Sequence, residues 1–234
     1  MSIGKQGQSK DYFRPIGDGT IVRKITQEEY EERKDTERGL VRKREWSAGD
    51  KSGISYEEVY RSVSGRIVAI NFSQHDEMGQ GIEVSLRTND GEEGVFAVNT
   101  SSPYGQTLME ALPSVDLERE VTLTAWSKEK DGKTRKVIFV SQYDEDEDKE
   151  VNVPNYYREW NEKKKEFKNK HGYPEVNEKE KAKYKDKYWR TRYFPEVEIF
   201  LVEQMESEVI PNLKQVETTE VVYDKQVDDE DDEL

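Results

Sequence analysis

Ser101-Ser102-Pro103-Tyr104-Gly105-Gln106-Thr107-Leu108-Met109-Glu110-Ala111-Leu112-Pro113 is the segment on which the fold turns. Ser101 to Pro103 supply a helix start, Tyr104, Leu108, Met109 and Leu112 recur at helical spacing, and Pro113 stops the run. On both sides of it the apolar period drops to two. Upstream, Ile82, Val84 and Leu86 alternate with Glu83, Ser85 and Arg87, and Asn89-Asp90-Gly91 closes a hairpin into Val95 to Thr100. Before that, a long first strand is expected over about Tyr60 to Phe72, with Gly65 placed where a strand bends or bulges. Downstream, Val121, Leu123 and Ala125 alternate with Thr122, Thr124 and Trp126, Lys130-Asp131-Gly132-Lys133 reverses the chain, and Val137 to Val140 completes the pair. The order is three strands, one short helix, then a two-stranded hairpin.

Between Tyr56 and Tyr143 this order resembles an OB-fold, a five-stranded, partly open Greek-key barrel. A small β-sandwich or an SH3-like barrel also supplies five strands, but a helix between the third and fourth is less natural there. The expected class is therefore mainly β with α extensions: a five-stranded OB-fold Greek-key barrel, a C-terminal helical region and a disordered acidic tail. Residues 1–53 form an N-terminal extension, 54–143 the barrel, 144–216 an acidic linker with a basic-aromatic helical extension, and 217–234 the tail. In the N-terminal part Thr26-Gln27-Glu28-Glu29 reads as a capping box opening a short helix through about Arg38. Tyr12-Phe13-Arg14-Pro15 and Arg42-Lys43-Arg44-Glu45-Trp46 look loop-like, and their mixture of bases with aromatics suits either docking onto the barrel or nucleic-acid contact. After the barrel, Pro154-Asn155 precedes an expected helix in which Tyr156, Tyr157, Trp160 and Phe167 share the chain with Lys163, Lys164, Lys165, Lys168 and Lys170, until Gly172 and Pro174 end it. A second helical stretch from about Asn177 interleaves Tyr184, Tyr188, Trp189 and Tyr193 with lysines, Arg190 and Arg192. Aromatics of this kind pack inward on an amphipathic hairpin, and the bases beside them are either solvated or in contact with phosphates. From Pro195 an apolar run, strand or helix, returns to pack on a core.

Composition narrows the function. The 234 residues carry 37 Lys and Arg against 51 Asp and Glu, a net charge of −14, with 32% hydrophobic and 38% charged residues. Mean hydropathy is −1.06, so a compact minority with polar extensions is expected. The charge is polarised: residues 158–192 hold 13 bases and 7 acids, whereas the last eighteen residues hold 1 base and 9 acids. With no cysteine and only His75 and His171, disulfides, thiol catalysis, thiolate zinc and histidine-rich metal sites are excluded. No apolar run approaches the length of a membrane span, and Met1 to Gln6 lacks a signal-like apolar region, so a soluble, cytoplasmic protein is expected. No phosphate-cradling, dinucleotide or nucleophile-elbow motif occurs, and His75-Asp76-Glu77 reads as turn chemistry. A binding protein without catalysis or cofactor is expected.

If the barrel is right, residues opposite the buried series point outward: Arg87 on the second strand, Phe96 or its neighbours on the third, and Trp126 on the fourth. An outward tryptophan is either covered by an extension or offered as a platform for base stacking. Beside it Lys128, Lys130, Lys133, Arg135 and Lys136 put five bases into nine residues, with only Glu129 and Asp131 between. Five neutralised phosphates would give a log–log salt slope of about −3.5 on a single strand. Arg66 and Arg87 join this set, and Lys163, Lys164, Trp189, Arg190 and Arg192 extend it. In plan the chain resembles the single-stranded DNA-binding proteins that bacteriophages encode for replication and recombination: a barrel, an appended element, and an acidic tail ending in a hydrophobic residue. That resemblance implies that Asp228, Asp229, Glu230, Asp231, Asp232, Glu233 and Leu234 recruit replication or recombination proteins and compete with DNA for the groove. Bacterial homologues end in proline and phenylalanine, whereas this chain ends Asp232-Glu233-Leu234. A protein-binding adaptor or DNA mimic, and an RNA-binding OB protein, are the competing readings.

Overall fold

The computed structural model describes residues 10–48, 51–75 and 79–213. The Asp76-Glu77 turn and the acidic tail lie outside them. The chain is mainly β with a helical C-terminal part, as expected, but its sheet is larger than five strands. In chain order the N-terminal elements are β1 (Asp11–Pro15), β2 (Ile21–Ile25), α1 (Gln27–Arg33), β3 (Val41–Ala48) and β4 (Lys51–Tyr60). There follow β5 (Ser62–His75), β6 (Gly79–Arg87), β7 (Glu93–Asn99), α2 (Pro103–Ala111), β8 (Glu120–Lys130), β9 (Lys133–Asp144) and β10 (Lys149–Asn152). The C-terminal part holds β11 (Arg158–Asn161), β12 (Glu166–Asn169), α3 (Glu178–Tyr184) and α4 (Phe194–Gln204).

Ten strands lie in the order β10-β9-β8-β5-β6-β7-β1-β2-β4-β3. Within it β8-β5-β6-β7 is a Greek key: three hairpin-connected strands, and a fourth that returns through α2 to lie beside the first. β5 serves both sides. Its Ser62–Arg66 half pairs with β8 and its Arg66–His75 half with β6, with an irregularity of register between Ile67 and Ala69. Gly65 falls just before that bend, where an added Cβ would stand 3.0 Å from the Arg87 carbonyl oxygen.

The sheet is mixed and does not close on itself. The free edge of β7 is taken by β1, which runs parallel to it with Asp11 to Phe13 beside Gly94 to Phe96. Tyr12 to Pro15 and Arg42 to Trp46 are thus strand residues, not loops; five-residue β1 is too short to show an alternation of its own. The turn after β1 reaches back to β8. Gly19 takes φ +87°, and a Cβ there would meet the Ser127 backbone nitrogen at 2.6 Å, so both conformation and space demand glycine. The expected capping box is present, with Thr26 Oγ1 accepting from the Glu29 N–H and the Glu29 carboxylate accepting from the Thr26 N–H.

α2 lies between the sheet and α4, and for that reason is buried around much of its circumference, at Tyr104, Gly105, Leu108, Met109, Glu110 and Ala111. Val197, Leu201, Met205, Val209 and Leu213 join Ile67, Ile82, Val84, Phe96, Leu123 and Val140 in one core. The apolar run from Pro195 is therefore helical.

The expected helix after Pro154 is absent; residues 158–169 form the β11–β12 hairpin. Asn155 Oδ1 accepts from the Tyr157 and Arg158 N–H groups, a helix-start bond pattern that here makes only one turn. Asn161 Oδ1 then caps the Lys163 and Lys164 N–H groups, Lys165 takes φ +55°, and Trp160 comes opposite Phe167. Cross-strand aromatic pairing outcompetes helical propensity over this short, locally turned segment.

Candidate nucleic-acid interface

The interface begins with a turn. Asp131 (φ +54°) and Gly132 (φ +69°) both take left-handed backbone, which closes β8 onto β9 with a two-residue loop and fixes the register. Lys130 then faces Lys133, Lys128 faces Arg135, Trp126 faces Val137, and Thr124 faces Phe139. Directly opposed residues share a face, so Trp126, Lys128, Lys130, Lys133, Arg135 and Phe139 all lie outward, while Leu123, Ala125, Ile138 and Val140 are buried beneath them.

The Trp126 and Phe139 rings meet edge to face, centroids 6.3 Å apart, and remain 36% and 39% exposed. Two like-charged pairs directly opposite one another are destabilising in a sheet. None of these four bases forms an ion pair among the described residues, which leave that repulsion unrelieved. Lys136 differs: it faces Ser127 on the other side of the ladder. There it lines a cavity of about 340 Å³ with Arg14, Gly17, Glu83, Asn99 and Tyr104.

The remaining expected residues are spread over the molecule. Arg87 is outward and exposed, but its guanidinium donates to Glu93 Oε1 at 3.0 and 2.7 Å. Arg66 sits opposite Arg87 and donates through Nε to the Leu117 carbonyl at 3.4 Å. Phe96 is fully buried, correcting the expectation that it faces outward: β6 register sets it opposite Val84 on the core face. In the unbroken apolar run Val95-Phe96-Ala97-Val98 the alternation is invisible, and only the partner strand decides it. Lys163 and Lys164 occupy the β11–β12 turn. Trp189, Arg190 and Arg192 form the wide turn leading into α4, where Lys181 lies 5.7 Å from the Trp189 ring and Arg192 lies 4.7 Å over Tyr184. Asp228 to Leu234 fall outside the described residues.

No family model, curated protein or solved structure matches this chain.

The site therefore rests on its own chemistry, and the N-terminal strands supply the contrast. There the arginines are already engaged: Arg14, Arg42 and Arg44 converge on the fully buried carboxylate of Glu57, and Arg23 and Arg33 on Glu58. Burial opposes ionisation of Glu57, but hydrogen bonds from Arg44 and Arg42 outweigh it and hold its carboxyl below the usual range. Phe13 packs edge-on against Tyr60, and Trp46 lies against Gly53. The arginines of both N-terminal patches are thus engaged, while Tyr12 and Trp46 keep 54% and 38% of their surface open; the β8–β9 hairpin differs in that its four outward bases form no ion pair among the described residues.

Sequence reasoning missed Phe139. Its signal was available, because Phe139 falls in step with Val137 and out of step with the buried Ile138 and Val140. Among the described residues no group of three or more His, Cys, Asp or Glu side chains is arranged to hold a metal ion, and no helix is long and apolar enough to cross a membrane.

Proposed function

We propose that this protein binds single-stranded DNA with little sequence preference, in replication or recombination, and that β5 to β9 act as an OB-type barrel left partly open. The observation that carries this reading is the outward face of β8–β9: Trp126 and Phe139 open for stacking, flanked by Lys128, Lys130, Lys133 and Arg135, which have no ion-pair partner among the described residues. Any base offers a π-face, so stacking is sequence-tolerant, and the four cations neutralise the phosphates between stacked bases. The Greek-key order β8-β5-β6-β7 with β9 continuing it supports the OB reading, and the hairpin after the helix is a loop through which OB-folds take oligonucleotides. Catalysis has no part in this proposal. The acidic tail of the bacteriophage-like plan would compete with the strand and recruit partner proteins, in the cytoplasm of a host cell.

The test is fluorescence anisotropy of the full chain with a labelled single strand about thirty nucleotides long, its duplex and the matching RNA, over a salt series. Four outward cations, rather than five, set the expected slope of log affinity against log salt at about −2.8 on the single strand. Equal affinity for duplex would remove the stacking role, and tighter binding to RNA would move the reading to RNA recognition. No binding would discard nucleic acid altogether and send the search to a protein partner.

A further inference from the structure

Beside the proposed strand-binding face lies a second cavity of about 250 Å³, walled by β9, the Thr107–Ala111 end of α2 and the β11–β12 hairpin. Arg135, Val137 and Phe139 line it from the outward side of β9, and Arg158 and Phe167 from the hairpin. Phe167 is 48% exposed and stacks edge-on with Trp160 at 5.0 Å, as Phe139 does with Trp126 at 6.3 Å. One ring from each of two open aromatic pairs, Phe139 and Phe167, thus lines the cavity.

Its polar wall is rigidly held. Glu110, buried on α2, accepts from Arg158 Nη2 at 2.7 Å, Asn155 Nδ2 at 2.7 Å and Tyr173 Oη at 2.5 Å. Arg158 also lies 5.2 Å from the Phe167 ring centre. Yet its Nε is shielded from solvent and has no hydrogen-bond partner, which is costly for a cationic donor.

We propose that this cavity receives one base of the bound single strand, which would then run from Trp126 over Phe139 into the space before Phe167 and Trp160. The inference rests on the single-strand reading above and extends it to a second element. The volume lies below the roughly 300 to 1,000 Å³ of sites for drug-sized ligands, which suits one heteroaromatic ring and no longer fragment. Arg135, exposed among the lining residues, stands where it would meet the adjoining phosphate.

Because Phe167 is half outside, its truncation spares the core, and the full-length chain carrying Phe167→Ala is the informative variant. Its thermal midpoint should stay at the parent value. Its affinity for the thirty-nucleotide strand should fall about 5- to 150-fold, the effect of losing one stacked base. Phe167→Trp should restore it. A 2-aminopurine placed at successive positions along the strand should be quenched at more positions by the parent and by Phe167→Trp than by Phe167→Ala. If Trp126→Ala loses affinity while Phe167→Ala binds like the parent with unchanged quenching, the strand does not enter the cavity and this inference falls while the single-strand reading stands. If the parent itself fails to bind the strand, both fall together.

Discussion

Glu57 and Glu58 are neighbours on β4, so their side chains leave opposite faces of the strand, and each gathers its own arginines. This pairing separates structural cations from available ones, which a count of bases along the sequence cannot do. It also makes the N-terminal strands sensitive to acid. Burial raises the cost of ionising Glu58, but hydrogen bonds from Arg33, Tyr60 and Arg23 prevail and draw its carboxyl from the ordinary 4.5 down to about 2. The folded carboxyl therefore holds its proton less tightly than the unfolded one. Its contribution to stability is complete above pH 4.5 and is lost as pH falls from there towards about 2. Thermal unfolding of the full chain should show a midpoint dropping through that window. Glu58→Gln should lower the midpoint at neutral pH and narrow its gap to the parent as the medium is acidified. Two parallel curves would mean that Glu58 is not ion-paired as described.

The β8–β9 hairpin was legible because two signals agreed: β8 alternates strictly and buries one parity only, and an Asp-Gly turn closes it onto the apolar run of β9. The β11–β12 hairpin was not, because Asn155 makes helix-start bonds and the lysine-rich turn hides the two-residue period of Trp160 and Phe167. β1 escaped for another reason: its place beside β7 is a pairing with a strand about eighty residues away, and five residues carry no local sign of it. Long-range edges of this kind are set by what covers them, not by their own composition. The same register that made the hairpin readable also yields a test at its own scale. Lys133→Glu with Arg135→Glu removes two of the four outward cations and should flatten the salt slope for single-strand binding by at least about 1.4, while Lys136→Gln, on the opposite face, should leave it unchanged. A slope that responds to Lys136 and ignores the double reversal would move the phosphate path to the other side of the ladder.

Over the whole molecule, a net charge of −14 should repel a polyanion, and only its segregation makes binding feasible. The last eighteen residues alone hold nine acids against one base, so in the proposed mechanism much of the repulsion sits on a segment distinct from the hairpin. If those eighteen residues behave as a flexible chain, their root-mean-square span is about 23 Å, and more under self-repulsion, enough to touch a basic face on their own molecule. Attraction between exposed charges at that range is screened by salt, with a Debye length of about 10 Å at 0.1 M and about 3 Å at 1 M. Competition by the tail should therefore be strong at low salt and fade as salt rises. A chain ending at Gln215 should bind the thirty-nucleotide strand more tightly than the full chain at about 0.05 M salt, and the two affinities should converge well before 1 M. Its salt slope should consequently be steeper, because the full chain loses both phosphate attraction and its own inhibition together as salt is added. Equal affinities at low salt would free the tail from any hold on the groove and leave it as a handle for partner proteins alone; a gain that persists undiminished at high salt would point to competition through Leu234 and the tail's few apolar residues rather than through charge.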